Sequence, residues 1–273
     1  MKNKHIVSIL TGLLLGGTLL YPTFRPYLFF ILMNGLVLIN AGILCSNLNI
    51  ASSWTARILG IYVLASVQIT VTQLYPGLLG YLTFVNVISA QIVCLGITLM
   101  CVRLGWLRIP SRRACGRALS DLWRTAGTIA ATDNRTILVC VLATAVFAFV
   151  FAVSALNPPI SIDTLTFHFV EPVKWLQSGL IPTQLEPNFA YPYGLNLLTT
   201  WLIFPFHHDF IARLSQTPVV LLGALASYGI CLQLDMRRSL SLVTALAVFT
   251  FPVYLENGIT LTDPDTLMAG TLL

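Results

Sequence analysis

Three carboxylates in this 273-residue chain stand where carboxylates could do chemistry. Asp263 and Asp265 lie two residues apart in Thr262-Asp263-Pro264-Asp265-Thr266, just before an apolar run. Such a pair can jointly hold a divalent cation if the backbone is extended or turned. At a helix start, Asp265 would instead cap the first turn and favour the positive end of the dipole. Asp163 opens a second polar segment, Ser161-Ile162-Asp163 through Gly179, which also carries His168 and Glu171. Arg213 opens a later apolar run, where it serves either as a cation for an anionic ligand or as a snorkelling interface anchor. His207, His208 and Asp209 resemble a metal cluster on paper, but successive helical residues point in different directions.

The elements that must position these groups are membrane helices. Hydrophobic residues make up 56% of the chain and charged residues 9%, against roughly 25% charged in a soluble domain. So few charges cannot cover a surface in water. Runs long enough to approach a bilayer crossing occupy 6–22, 27–45, 56–75, 77–101, 136–155, 210–234 and 239–256. A further run begins near 266 and is cut short at Leu273, which reads as a fragment of a longer protein. The expectation is an all-α polytopic membrane protein with about seven full transmembrane helices and a partial last one. Lys2 and Lys4 before the first run resemble a secretory leader, but with no small-residue cleavage site the run reads as an uncleaved span.

Charge sets the expected orientation. Arg103, Arg108, Arg112, Arg113, Arg117, Arg124 and Arg135 are seven of the fifteen basic residues and fall in 103–135. By the positive-inside rule this linker is cytoplasmic, with anionic membrane lipid rather than nucleic acid as its partner. The chain then divides into an N-terminal four-span region (1–102), the basic linker (103–135) and a C-terminal part (136–273) with an external loop at 156–209. The N-terminus is cytoplasmic. The run 194–206 has only thirteen residues, too short to cross, and is expected to be a juxtamembrane or re-entrant helix on the outer side. The run 210–234 then crosses inward, Arg237 and Arg238 are cytoplasmic, and 239–256 crosses outward. Asp163 and the Asp263–Asp265 pair thereby open on one face.

Within the external loop a helix is expected after Asp163. Phe169, Val173, Leu176 and Leu180 form its apolar stripe, and His168, Glu171, Lys174 and Ser178 its polar one. Pro172 suits its first turn. Pro192 and Gly194 break the chain before the short helix that carries Trp201. Gln68 and Asn86 are read as the interior polar residues of the spans, engaged in span-to-span hydrogen bonds. Cys45, Cys94, Cys101, Cys115, Cys140 and Cys231 show no ligand spacing and read as small apolar residues.

The order of these elements resembles the GT-C superfamily of membrane glycosyltransferases, in the group that holds protein O-mannosyltransferases and lipid A aminoarabinose transferases. The resemblance covers about 136–273, the N-terminal part of that fold only. It rests on Asp163 followed by Phe167-His168 (the family more often has Tyr-His), then Tyr191-Pro192-Tyr193-Gly194 and Trp201. Ala212-Arg213-Leu214 opens the next span, and Asp263-Pro264-Asp265 forms the second external acidic site. It implies an enzyme that moves a sugar from a polyprenyl-phosphate carrier to an acceptor on the outer face of the bacterial inner membrane, with inversion. Asp163 would be the base, and a carboxylate partly desolvated at an interface suits that task. Asp265, with Asp263, would orient the acceptor or hold Mg or Mn near the phosphate. His168, Glu171, Tyr193 and Arg213 would bind substrate. Two rivals stand beside this reading: a transporter or flippase for a lipid-linked substrate, and an inactive fragment or non-catalytic membrane subunit.

Overall fold

The computed structural model describes residues 24–48, 53–110, 134–156, 169–182, 193–208 and 217–249, together with Ser120, Arg124, Gly127, Ile211, Ala212 and Ser215. Its regular elements there are helices: α1 (Arg25–Asn47), α2 (Trp54–Leu78), α3 (Phe84–Arg103), α4 (Asn134–Leu156), α5 (Val170–Ser178), α6 (Tyr193–Ile203), α7 (Thr217–Gln233) and α8 (Arg238–Phe249). Among the described residues three helices, α1, α2 and α3, are long and apolar enough to cross a membrane. Shorter apolar stretches follow in α4 (Ile137–Phe149), α7 and α8. Within the expected run 210–234 the described α-helix is α7, which starts at Thr217 with Pro218 in its first turn, where its missing N–H costs nothing. At 17 residues α7 is about 25 Å long, short of the roughly 30 Å hydrocarbon core. The first run, 6–22, and the last lie outside the described residues.

The surface is the reverse of a water-soluble one. Ile39, Val63, Val67, Val71, Ile92, Val93, Ile97, Val141 and Leu142 all face outward. Asn40, Gln68, Thr72, Gln73 and Gln91 are buried. An apolar exterior around a polar centre fits hydrocarbon as solvent.

Side-chain contacts fix how the helices run. Asn47, closing α1, donates to the Arg108 carbonyl at 2.9 Å and accepts from the Arg108 amide at 2.7 Å, so the ends of α1 and α3 meet. Trp54, opening α2, lies 6.2 Å ring to ring from Tyr228 near the end of α7, and Gly229 packs on Thr55. This end of the bundle therefore gathers Arg57, Arg103, Arg108, Arg237 and Arg238. We call it the basic end.

At the opposite end the α2–α3 turn differs from the expected break between 75 and 77. Helix α2 runs through Pro76 and Gly77 to Leu78. Pro76 sits in the last turn, where it removes one helical bond, to the Thr72 carbonyl, without interrupting the helix before Leu78. The chain reverses at Gly80, whose φ of +77° glycine adopts without a Cβ penalty. The amide of Tyr81 reaches back to the Pro76 carbonyl at 2.9 Å, closing the helix.

Helices α5 and α6 are built onto this end. Met33, Val37 and Ala41 of α1, Ala65 and Ile69 of α2, Leu82 and Val87 share one core with Trp175, Ile181, Leu197, Trp201 and Phe204. Helix α6 is 11 residues, about 16 Å, and cannot span. It packs on α2. Its reach is marked by Leu197, whose carbonyl accepts from Gln73 near the end of α2, and by Trp201, whose indole donates to Asn34 at 3.3 Å. Just beyond it Phe206 packs on Tyr27 and Phe30 at the start of α1. These partners all belong to the half of the bundle away from the basic end.

Candidate functional site

Helix α5 is held by backbone geometry. Gly179, at φ +72°, caps it, its amide donating a hydrogen bond to the Trp175 carbonyl at 2.8 Å. Beyond the cap, the Leu82 amide donates to the Gly179 carbonyl (2.8 Å) and the Ile181 amide donates to the Gly77 carbonyl (2.9 Å). The two bonds tie the segment after α5 to the α2–α3 turn. A Cβ at Gly77 would lie 2.3 Å from Ile181 Cδ1, so any larger residue would force the Ile181 side chain to shift.

The face that α5 buries differs from the expected stripe. Pro172 and Trp175 are buried and Leu176 partly so, whereas Val173 faces out and Leu180 lies past the helix end, half exposed. The helix stops at Gly179, so the projected stripe loses its last member. Burial of the large indole sets the rotation. Pro172 does occupy the first turn.

Of the candidate site residues, Glu171 is described on α5. It accepts from Lys174 at 2.9 Å in a partly exposed pair, the geometry of a surface ion pair worth little stability. Tyr193 opens α6. Asp163, His168, Arg213, Asp263 and Asp265 lie outside the described residues, as does Asp209; His207 and His208 follow α6. No group of three metal-binding side chains occurs among the described residues. The chain neighbours of two candidates do meet: Phe169, directly after His168, and Ala212, directly before Arg213, are both buried and pack with Ile203.

A polar site that sequence reasoning passed over lies deeper, between α1, α2 and α3. Asn40 donates to Gln68 at 2.8 Å, Gln68 donates to Gln91, and Gln91 donates to the Thr72 hydroxyl at 2.6 Å, which in turn donates to the Gln68 carbonyl at 2.7 Å. Gln73 donates to Leu197, linking α2 to α6. Asn40 Oδ1 and Gln73 Oε1 are buried acceptors without a partner. Gln68 thus makes its expected bonds between helices. Asn86 does not: it lies in the exposed first turn of α3 and donates to the Tyr81 carbonyl. A turn after Gly80 moves Asn86 to a helix start, and the interior amide of α3 is Gln91, one residue type repeated in no sequence period that would mark it.

The described cysteines Cys45, Cys94, Cys101, Cys140 and Cys231 are free thiols, and Cys115 lies outside the described residues. Compared with family models, with curated proteins and with solved structures, the chain matches none.

Proposed function

We propose that the chain is a GT-C-type membrane glycosyltransferase that moves a sugar from a polyprenyl-phosphate carrier to an acceptor on the outer face of the bacterial inner membrane. Its N-terminus is cytoplasmic and the basic end faces the cytoplasm. The observation that supports the reading is the packing on Ile203 of α6 of Phe169, the chain neighbour of His168, and Ala212, the chain neighbour of Arg213.

In that reaction the acceptor nucleophile attacks the anomeric carbon while the bond to the carrier phosphate breaks, inverting the centre. Asp163 takes the proton released by the nucleophile. Arg213 compensates charge growing on the departing phosphate. His168, Glu171 and Tyr193 orient the sugar or acceptor. Asp263 and Asp265 orient the acceptor or would hold Mg or Mn, which would supply further positive charge at the phosphate. The test is Asp163→Asn: sugar transfer in cells is lost while membrane insertion stays normal, and retained transfer removes the assignment.

One observation favours a second reading, transport of a lipid-linked substrate. The amide ladder of α1–α3 offers buried acceptors without partners, and polar groups inside a membrane bundle commonly line substrate paths. Counterflow into vesicles that persists when Asp263 and Asp265 are both changed to Asn would support transport over transfer.

A further inference from the structure

A groove of about 360 Å³ lies between α4, α7 and α8 and ends at the start of α2. Thr144 and Phe147 form one wall, Ala224 and Tyr228 another, Leu246 a third, and Trp54 closes the basic end. The lining is almost wholly apolar, so ordered water would find too few partners there. Leu221 and Thr144 on its walls are exposed, which leaves the groove open sideways to hydrocarbon.

We propose that this groove binds an anionic phospholipid of the leaflet at the basic end, with an acyl chain along α7 and the phosphate at Arg237 and Arg238. The occupant follows from the charge at one end of an apolar slot. Arg237 and Arg238 follow α7 directly and are exposed, with Asp235 as the nearby acid in the same turn. Arg238 lies within electrostatic reach of the Tyr228 hydroxyl. That hydroxyl belongs to a 95% buried residue and has no hydrogen-bond partner. Trp54 and Tyr228 supply the amphipathic aromatic pair typical of the head-group level. Cations at that level attract anionic lipid. A second copy of the chain in the same orientation would instead bring arginines against arginines. The proposal rests on the membrane reading and is independent of sugar transfer.

The test is native mass spectrometry of the full chain in neutral detergent, titrated with phosphatidylglycerol and with phosphatidylcholine. Phosphatidylglycerol is expected to be retained about tenfold or more over phosphatidylcholine. The double variant Arg237→Gln/Arg238→Gln should weaken phosphatidylglycerol retention by about thirtyfold, the scale of two surface cations. Thr144→Trp, at an exposed groove position, should reduce retention of both lipids, and Ala224→Phe should repeat that result from the opposite wall. Circular dichroism selects the variant that keeps wild-type helicity. Equal retention of the two lipids by the wild type overturns the proposal. So does retention unchanged by either filling variant, and so does a dimer peak that vanishes with Thr144→Trp while lipid retention stays.

Discussion

Substitution of Gly77 should release α5 from the α2–α3 turn. An alanine Cβ there would stand 2.3 Å from Ile181 Cδ1, 2.6 Å from Cγ1 and 3.2 Å from Cβ. Ile181 is fully buried, so any rotation that relieves the contact must displace its packed neighbours rather than solvent. The clash costs about 1–3 kcal/mol, as overpacking commonly does. Alanine also favours helix over glycine by about 1 kcal/mol, but α2 is helical whether or not α5 is docked, so that gain cancels from the docking equilibrium. Undocking would surrender the bonds Ile181 N–H to Gly77 O and Leu82 N–H to Gly179 O, each worth about 1 kcal/mol net. The clash is therefore comparable to what holds the segment. Amide exchange over 175–182 in lipid nanodiscs should accelerate by roughly 5- to 150-fold in Gly77→Ala, since 1.4 kcal/mol is about tenfold. Gly96→Ala is the control, because a Cβ there meets nothing within 4 Å. Exchange that is unchanged in Gly77→Ala, and also in the larger Gly77→Val, would refute the docking geometry.

Other outcomes follow from the same contacts. Gly179→Ala should destabilise the α5 end by about 1–2 kcal/mol for its left-handed backbone alone, read as faster exchange at Leu82. Gln91→Leu removes two ladder bonds and should lower stability to reversible unfolding in mixed micelles by about 1–2 kcal/mol. Replacing Asn40, Gln68 and Gln91 by Leu together should cost less than the three single changes summed, because no amide is then left without its partner. Asn47→Ala should raise exchange at Arg108, leaving the α5 end unaffected.

Much of the scaffold is legible in the sequence, for a plain reason. A helix crossing hydrocarbon needs about 20 apolar residues, and α1–α3 advertise that length directly. The short helix carrying Trp201 is equally legible, because thirteen apolar residues cannot cross. The end of α2 is not: Pro76 looks like a break, but the helix runs past it at the loss of a single bond, and the reversal waits for Gly80, which accepts positive φ. The amide ladder is hidden for another reason. Asn40, Gln68, Thr72 and Gln91 are spread over three helices and converge only in three dimensions. The rotation of α5 depends on which side chain finds a deep pocket, and pattern alone offered Val173 where packing selected Trp175. For the candidate site, Glu171 is found on the short helix expected to carry it, Tyr193 opens α6 although the break expected at Pro192 and Gly194 would leave it in the preceding turn, and the meeting of Phe169 with Ala212 has no signature in a linear reading.

The strap between Gly179–Ile181 and the turn at Gly77–Leu82 joins parts of the chain made about a hundred residues apart. A ribosome must therefore deliver the α2–α3 hairpin to the bilayer long before its client arrives, and that hairpin waits as a half-built mould with the Gly77 carbonyl and the Leu82 amide still to be paired. A polypeptide beginning at 136 would emerge with Trp175 and Ile181 seeking a cast that was never poured. The early helices are thus the floor on which the later loop is assembled, and severing them would strand two indoles, Trp175 and Trp201, at the bilayer edge.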